Sequence, residues 1–549
     1  MKKRRNIAAA IVLSSMMAVS TCAFAVTSMT ASAYTVTINN KSDDSAAHSY
    51  EAYQVFSGTL SGSGDNAVLS NIMWGSGVDS SSLLTALQNN SNWEETSPFT
   101  GKTTAAEVAE VVDSWSDDNS NVKIFAKLVA DNLSSSFTPS TSGTNASTIS
   151  IADTAPGYYF IKDVSTGLTQ AANSKYILKV VDSVSVIAKT DVPTSGKKVD
   201  DKNDSTDTSE LLQDSADYDI GDNVPYTLTF TLPSDYAQYE KYPITFIDDM
   251  CTGLTYNGDA KIYYGESDTA GTNISSNFAI DPTASSSYSS GKVYKYSIAD
   301  LKTSMPAFTS GKITIKYTAK LNSNAVVGSA GNENTYKVQY ANNPNWKPTT
   351  GDTTPPTSET PPSTNKVYTY KLVINKTDGT NPLTGADFIL YKFIADPSGT
   401  STLDSSTTIK GNWVDVTSLN PETGAANPTK TKSGNGTVAN YIFTFSGLDD
   451  GWYKLHESVT PAGYNSIDDK IFQITPTANG DLAEITSPIA LTADDTAGSL
   501  TGNVENNQGA TLPSTGGIGT TLFYIIGGTL VAGSIVLLIT KKRMHSTEE

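Results

Sequence analysis

Few side chains in this chain of 549 residues are of the types that build conventional active sites. It contains three histidines, His48, His456 and His545, which are too few and too scattered for a metal cluster. No nucleophile-elbow motif surrounds a serine, and glycine-rich pieces such as "SGTLSGSGDN" lack the lysine and helix context of a phosphate loop. We therefore expect no metal, no cofactor and no catalytic turnover on an external substrate.

The C-terminal stretch combines an uncharged segment with a basic tail. Residues 517–540 are long enough to cross a bilayer as a helix, and the tail, residues 541–549, begins with three basic residues that are expected to stay in the cytoplasm. The bulk of the chain is then outside the cell. By these features alone, the segment could be a plain single-pass anchor.

The residues just before this segment favour a more specific role. They read Leu512-Pro513-Ser514-Thr515-Gly516, and they resemble the L-P-x-T-G sorting signal of Gram-positive surface proteins. The resemblance implies that a sortase cleaves after Thr515 and passes the Thr515 carbonyl group to an amine. The helix would then hold the motif at the membrane only until cleavage.

The N-terminus is typical of an exported protein. Residues 1–33 combine the basic start "MKKRR", an apolar stretch and the small residues "ASA" before Tyr34, as a signal peptide does. Cleavage after Ala25 is the less typical alternative. The arginine pair lacks the flanking pattern of twin-arginine export, and the residue before Cys22 makes a poor lipoprotein signal.

Composition limits the partners and the means of stabilisation. The formal net charge of −19 disfavours nucleic acid and anionic lipid, which both require positive charge. After removal of the signal peptide, Cys251 is the one remaining cysteine, so the exported chain has no internal disulfide. Something other than a disulfide must strengthen it outside the cell.

Alternating runs such as "YTLTFTL" and "KITIKYTAK" predict an all-β protein of tandem Ig-like β-sandwich domains. Helical spacing near residues 81–133 predicts helices inserted in the N-terminal domain. Composition shifts and prolines set the boundaries, and "TTGDTTPPTSETPPSTN" reads as a semi-rigid linker. The predicted units are an N-terminal domain, 34–190; a middle domain, 191–347; the linker, 348–365; and a third domain, 366–508.

In the third domain, "WYKLHESVTPAGY" resembles the E-box of collagen-adhesin B-type (Cna-B) domains, Y-x-L-x-E-x-x-x-P-x-G-Y. That family implies a β-sandwich with a spontaneous Lys–Asn isopeptide bond between its first and last strands. By position, Lys376 matches the lysine, Glu457 the catalytic carboxyl group and Asn506 the asparagine, with Asn503 and Asn507 as nearby alternatives.

The chemistry of such a trio is physically reasonable. A lysine in apolar surroundings loses its hydration, so its pKa falls and the neutral amine becomes a nucleophile. A carboxyl group buried beside it tends to keep its proton and can stabilise the oxyanion that develops on the asparagine. Attack on the amide carbon expels ammonia and leaves a new amide.

The middle domain resembles the isopeptide-forming domain of backbone pilins, through "DYDIGDNVPYTLTFTLP", "FIDDMCTGLTYNG" and "GNENTYKVQYANNP" in that order. Position by position, Lys197 matches the nucleophile, Asp248 the carboxyl group and Asn334 the amide partner. Lys198 and Asn332 are the alternatives. Neighbouring strand residues face opposite sides, so only one of the two lysines can be buried.

The first domain shares a faint pattern with the third. "GYYFIKD" aligns with "GWYKLHE", which places Asp163 where Glu457 falls, and Lys41 is the candidate lysine. The last strand, "KYILKVVDSVSVIAK", contains no asparagine, although Asp182 could replace one. We therefore expect no Lys–Asn crosslink in this domain.

These features favour a sortase-assembled pilus shaft subunit, anchored at the cell wall after a transient membrane stage. The resemblance implies as partners other copies of the chain, pilus-specific and housekeeping sortases, peptidoglycan and minor or tip pilins. Lys189 is the candidate acceptor of the next subunit, because it ends the first domain, although the usual Tyr-Pro-Lys setting is missing. The alternative is a monomeric wall-anchored adhesin, and an exported enzyme ranks third.

Overall fold

A computed structural model describes most of the chain. The described residues are 33–62, 67–93, 96–115, 119–152, 155–188, 191–265, 271–284, 286–403, 407–417, 441–509 and 518–545. They form three β-rich units in succession, followed by one long apolar helix. The predicted all-β class with tandem sandwich domains is confirmed.

In the described residues, the first unit consists of one eight-stranded sheet and three helices. Its strands are β1 (Tyr34–Asn39), β2 (Tyr50–Ser61), β3 (Val68–Trp74), β4 (Thr138–Thr141), β5 (Ala146–Ile151), β6 (Gly157–Asp163), β7 (Lys175–Val180) and β8 (Val184–Ile187). Its helices are α1 (Ser80–Asn89), α2 (Ala105–Asp113) and α3 (Ser120–Asp131). Over the described residues the strand order is β7-β6-β2-β4-β5-β1-β8, and β3 pairs with β2.

The predicted helices are confirmed, and local capping explains where they begin. Asp79 accepts hydrogen bonds from the first turn of α1, and Thr104 forms a reciprocal capping box with Glu107 at α2. The apolar faces of the helices, with Phe125 at their centre, pack on Phe56 and Phe160 of the sheet. The helices thus give this unit a core of its own on one side.

The middle unit is a sandwich of two sheets. Its elements are β9 (Thr194–Asn203), β10 (Thr208–Gln213), β11 (Ser215–Asp217), β12 (Asn223–Thr231), β13 (Ile244–Met250), β14 (Leu254–Tyr256), β15 (Lys261–Tyr264), β16 (Thr272–Asn273), β17 (Ala279–Ala284), β18 (Lys292–Ile298), α4 (Leu301–Ser304), β19 (Lys312–Leu321), β20 (Asn332–Ala341), β21 (Thr357–Glu359) and β22 (Ser363–Tyr368), with short 3₁₀ turns at Tyr236–Gln238 and Ser275–Asn277. One sheet has the order β10-β9-β12-β19-β15-β16, and the other β11-β22-β20-β13-β18-β17. Large aromatic residues fill the space between them.

The prediction that residues 348–365 form a semi-rigid linker between domains is wrong for its second half. β21 and β22 both pair with β20, so this segment completes the second sheet of the middle unit. The proline pairs lie outside the strands: Pro361 and Pro362 come just before β22 and remove no ladder hydrogen bond within it. The segment therefore contributes to a folded sheet and is not an independent spacer.

The third unit is a smaller sandwich. Its strands are β23 (Tyr370–Thr377), β24 (Asp387–Ala395), β25 (Ser401–Thr402), β26 (Lys410–Asp415), β27 (Ile442–Leu448), β28 (Gly451–Val459), β29 (Lys470–Ile474), β30 (Leu491–Asp494) and β31 (Ser499–Glu505). In the described part, the sheets have the orders β27-β23-β31-β30 and β25-β26-β24-β28-β29. The first and last strands, β23 and β31, run parallel and adjacent. This pairing brings the two ends of the domain together.

Among the described residues, the C-terminal helix α5 (Ile518–His545) has no packing partner. Within it, Leu522–Met544 is long and apolar enough to cross a membrane, and none of that window is buried against the protein. This agrees with the predicted membrane segment 517–540, although the helix continues through the basic residues.

A buried lysine joins the middle and third units. Lys392 of β24 is fully buried, and its Nζ lies 3.0 Å from a carboxylate oxygen of each of Asp204, Asp219 and Asp449. Burial alone would lower the pKa of Lys392, but the carboxylates outweigh it and hold the pKa well above its ordinary value. Because two of the acids belong to the middle unit, this ammonium group ties the two sandwiches together.

Replacement of Lys392 by methionine should weaken this joint severely. It leaves three buried carboxylates without their cation, which costs about 3–5 kcal/mol. We expect the denaturant midpoint of the mature chain to fall accordingly, while Lys198→Met, which removes the exposed Lys198–Asp214 pair, costs under about 1 kcal/mol. Equal effects of the two substitutions would contradict the structural role of Lys392.

Candidate crosslink sites

In the third unit, Lys376 and Asn506 meet where the parallel strands β23 and β31 end. The Nζ of Lys376 donates to the carbonyl oxygens of Thr377 at 3.0 Å and Val504 at 3.1 Å. The backbone N–H of Asn506 donates to the same Thr377 oxygen at 3.1 Å. Both side chains are fully buried, so the amine and the amide share one dry corner of the sandwich.

Glu457 approaches this corner from β28 in the opposite sheet. The Nδ2 of Asn506 donates to both carboxylate oxygens of Glu457, at 2.8 and 3.0 Å. The Oδ1 of Asn506 is buried and has no hydrogen-bond partner among the described residues. The carboxyl group thus contacts the amide nitrogen here, whereas the sequence-based mechanism places it on the amide oxygen. A half-turn of the amide exchanges the two atoms.

The environment of Lys376 makes its amine a usable nucleophile. Burial lowers the pKa of Lys376 to about 8, and the attraction of Glu457 and Glu505 offsets only part of this effect. At pH 7 about one amine in ten is therefore neutral, against fewer than about one in a thousand for an ordinary surface lysine. Nucleophile, electrophilic amide and carboxyl group are all present.

The middle unit builds a second trio across its two sheets. Lys197 lies on β9 in one sheet, while Asp248 on β13 and Asn334 on β20 lie in the other, and all three are fully buried. The Nζ of Lys197 donates to Oδ1 of Asp248 and, at 3.1 Å, to the hydroxyl of Tyr317. The same hydroxyl accepts from Nδ2 of Asn334 at 2.8 Å, which places the amide beside the amine.

Aromatic rings enclose this second amine. The Nζ of Lys197 lies 4.8 Å from the ring centre of Tyr226 and 5.7 Å from that of Tyr317. Burial lowers the pKa of Lys197 to about 8, although Asp248 acts in the opposite direction. Neither tyrosine was predicted from the sequence as part of the site, yet both follow from inward positions on alternating strands.

The structure separates the alternatives that the sequence left open in the middle unit. Lys198 points outward and pairs with Asp214 at 2.7 Å. Asn332 is buried, but its side-chain amide forms hydrogen bonds with the backbone of Val326 and Val367.

In the third unit, Asn503 accepts a bond from Asn375 on an exposed face, and Asn507 is exposed. Lys197, Asn334, Lys376 and Asn506 are therefore the residues that the fold brings together.

The first unit has the same strand pairing without the same trio. β1 runs parallel to the last strand β8, as β23 does to β31, and β6 lies between β2 and β7 as β28 lies between β24 and β29. When Tyr34 is aligned with Tyr370, Asn40 falls at the position of Lys376. The amide of Asn40 is bonded to backbone carbonyls, including that of Ala46 at 2.8 Å. In this alignment Asn40, and not the predicted Lys41, is the counterpart of the lysine Lys376.

In the first unit, a histidine pairs with the candidate carboxyl group, that of Asp163. Nδ1 of His48 lies 2.6 Å from Asp163, and its Nε2 lies 3.1 Å from Asp44. Burial would lower the pKa of His48, but hydrogen bonds and attraction from both acids raise it to about 9. Asp163 therefore forms an ion pair with His48. Asp182 is exposed and caps the N–H of Ser183.

Two segments of the chain, the third unit and the C-terminal region, match known families. Residues 370–487 match the SpaA family, described as a prealbumin-like fold domain, and residues 504–546 match the LPXTG cell wall anchor motif. The chain carries a Gram-positive cell wall anchor. This confirms the predicted surface location, with α5 as the apolar part of the anchor.

Relatives are similar over most of the chain. The trypsin-resistant surface T6 protein of Streptococcus pyogenes is 26% identical over 416 residues, which cover 65% of this chain and 70% of that protein. The T6 backbone pilin structure of serotype M6 S. pyogenes covers 87% of this chain and 99% of its own, with 16% identity and a TM-score of 0.46. The major pilin SpaD of Corynebacterium diphtheriae covers 87% and 98%, with 15% identity and a TM-score of 0.42. The chain is thus similar to a surface protein of a Gram-positive bacterium over about two thirds of its length.

The remaining predicted positions lie at the edges of the described structure. Lys189 and the sorting motif, residues 512–516, are outside the described residues. Of the other lysines near the end of the first unit, Lys175 is buried and donates to the carbonyl of Pro344 at 2.9 Å. Lys179 donates to the carbonyl of Ala67 at 3.2 Å. Each of these amines therefore has one backbone acceptor.

The His48 ion pairs give the first unit a pH-dependent stability. Because the folded pKa of His48, about 9, lies above its unfolded value near 6.5, the contribution is complete below pH 6.5 and is lost as the pH rises through 9. We expect the first unit to lose about 2–3 kcal/mol between pH 6.5 and pH 10. Thermal unfolding of the mature chain across this range measures the loss, and His48→Gln should flatten the dependence. An unchanged slope in that variant would show that another group titrates.

Proposed function

We propose that this chain is the shaft subunit of a covalently polymerised cell-surface pilus. In this proposal, sortase joins the Thr515 carbonyl group of one subunit to a lysine amine of the next. Two internal Lys–Asn isopeptide bonds, Lys376–Asn506 and Lys197–Asn334, strengthen each subunit. The observation that carries the proposal is the pair of dry Lys–carboxyl–Asn trios in successive sandwiches of a wall-anchored protein.

Each internal bond would form by the same balanced step. The neutral Nζ of the lysine attacks Cγ of the asparagine and forms a C–N bond, while the oxygen carries the developing negative charge. The attacking nitrogen gives up one proton, the C–N bond to the former amide nitrogen breaks, and that nitrogen takes up the proton and leaves as ammonia. Glu457 or Asp248 would move the proton to the leaving nitrogen, because each carboxyl group contacts a reacting partner.

The bonds would stabilise the subunit through its unfolded state. Lys197 and Asn334, like Lys376 and Asn506, are separated by more than 100 residues of sequence. If the chain-entropy model for disulfides transfers to these amides, each bond contributes about 5 kcal/mol. An exported chain whose mature part retains one cysteine would gain by this route what it cannot gain from disulfides.

Intact mass tests both internal bonds. Each should lower the mass of the mature chain by about 17 Da, the mass of the expelled ammonia. Lys376→Arg should restore one ammonia and Lys197→Arg the other, whereas Lys371→Arg, on the same strand as Lys376 but facing outward, should keep both losses. A wild-type mass equal to the uncrosslinked chain would refute the assignments.

Replacement of the carboxyl groups separates their role from that of the lysines. Glu457→Ala keeps Lys376 and Asn506 in place but removes the carboxyl group that contacts the amide. We expect it to restore one ammonia in the mass of the folded, secreted chain. If the Lys376–Asn506 bond still forms at the wild-type rate, Glu457 is not the catalytic group.

Lys189 remains the proposed acceptor, because it follows β8 at the end of the first unit and precedes Lys197 by eight residues. Tension that enters at Thr515 would pass to Asn506, cross to Lys376, follow the chain to Asn334, cross to Lys197 and leave at Lys189. The first unit lies outside this path. That position is consistent with a domain that has an ion pair in place of a crosslink.

Polymer formation in cells tests the acceptor. Lys189→Arg keeps the charge but removes the primary amine that accepts Thr515, so the high-mass ladder in an immunoblot of cell-wall extract should disappear while the monomer is still secreted. Lys198→Arg is the matched control, and we expect it to leave the ladder unchanged. A ladder in Lys189→Arg would move the acceptor to Lys175, Lys179 or Lys198, and a single band in the wild type would favour a monomeric anchored adhesin.

A further inference from the structure

A cavity of about 190 Å³ lies between the first and middle units. Lys127 of α3, Lys162 of β6 and Lys175 of β7 line it from the first unit. Glu240 and the segment of residues 344–347, which ends in Lys347, close it from the middle unit. Four lysines thus line one cavity at the joint between the two units.

Two of these lysines already have acidic partners. The Nζ of Lys127 pairs with Glu240 and lies 3.6 Å from Asp131, and the Nζ of Lys347 pairs with the other oxygen of Asp131. The two carboxylates of the wall are therefore shared between these two amines. Neither of these two carboxylates pairs with Lys162 or Lys175.

Lys175 is the unusual member of the set. Its side chain is only 7% exposed, and its Nζ donates to the carbonyl oxygen of Pro344 at 2.9 Å. Within the described residues no carboxylate lies within ion-pair distance of Lys175 or of Lys162. A lysine ammonium has three donors, so a buried one with a single backbone acceptor is poorly satisfied.

The titration behaviour of the joint agrees with this excess of positive charge. Burial, together with repulsion from Lys127 and Lys347, lowers the pKa of Lys175 to about 8. Asp131 and Asp235 attract it only partly, and the carboxyl group of Asp235 is itself buried, with a pKa raised to about 7. An anion in the cavity would relieve the repulsion between the amines.

We propose that this cavity is a binding site for a small oxyanion, a phosphate or carboxylate group, held by Lys162 and Lys175. The anion accepts hydrogen bonds from the two uncompensated amines and lies beside Lys347 of the middle unit. Because it contacts residues from both units, its binding stabilises their relative placement. The site is independent of the pilus assignment, since it needs neither a crosslink nor polymerisation.

Inorganic phosphate and acetate are the probes that test this proposal. Calorimetric titration of the mature chain at pH 7, with chloride balancing the ionic strength, should detect one site, and phosphate binding over acetate would identify the phosphate group as the ligand chemistry. The affinity should fall at least fivefold between pH 7 and pH 9, as Lys175 loses its proton. No saturable binding of either anion tighter than about 10 mM would overturn the proposal.

Matched variants locate the site. Lys175→Met should abolish binding, and Lys162→Met, at a half-buried position, should weaken it about tenfold without lowering the thermal midpoint in chloride. Lys198→Met, which removes an amine of the middle unit away from the cavity, should bind as the wild type does. Wild-type affinity in Lys162→Met would overturn the assignment even if Lys175→Met fails to fold.

Discussion

The placement of a lysine amine in a dry core is the constraint on which this structure depends. A buried ammonium group costs several kcal/mol unless it is neutralised or paired. Lys197 and Lys376 are buried with few charged partners, so their pKa values fall to about 8. Lys392 is buried among three carboxylates, and its pKa rises. The same side chain is thus proposed as a nucleophile in two places and is a fixed cation in a third.

In the proposed shaft, the two kinds of buried lysine would have complementary mechanical roles. The proposed crosslinks leave residues 335–375 between Asn334 and Lys376, a stretch that would extend to about 140 Å if it were pulled out. β21 and β22 hold this stretch in the middle sheet, and the Lys392 cluster holds the third unit against the middle one. In the proposed shaft, noncovalent contacts would therefore protect the part of the force path that the crosslinks do not shorten.

Alternation along strands explains which parts of the site the sequence could predict. Lys376 continues the inward positions of Leu372 and Ile374, and Asp248 continues those of Ile244 and Phe246, so motif and register agree. Register could not separate Asn332 from Asn334, because both point inward on β20, and only their hydrogen bonds differ.

Other features could not be predicted from the sequence, for identifiable physical reasons. Lys392 follows Phe388 and Leu390 in the same inward register, which is a readable signal, but its acids come from distant turns that no local pattern connects. The linker prediction rested on the prolines of residues 348–365. It did not take into account the proline-free run that follows them, which forms β22 and pairs with β20. His48 carried no motif, and only the fold brings it to Asp163.

The most direct test of the central claim is a crystal structure of the mature chain at a resolution that distinguishes bonded from non-bonded atoms. The account predicts continuous density from Nζ of Lys376 to Cγ of Asn506, and from Nζ of Lys197 to Cγ of Asn334, with amide bond lengths of about 1.33 Å. It also predicts separate, hydrogen-bonded atoms around Lys392. Van der Waals separation at both asparagines, in a protein purified from its native cell wall, would contradict it.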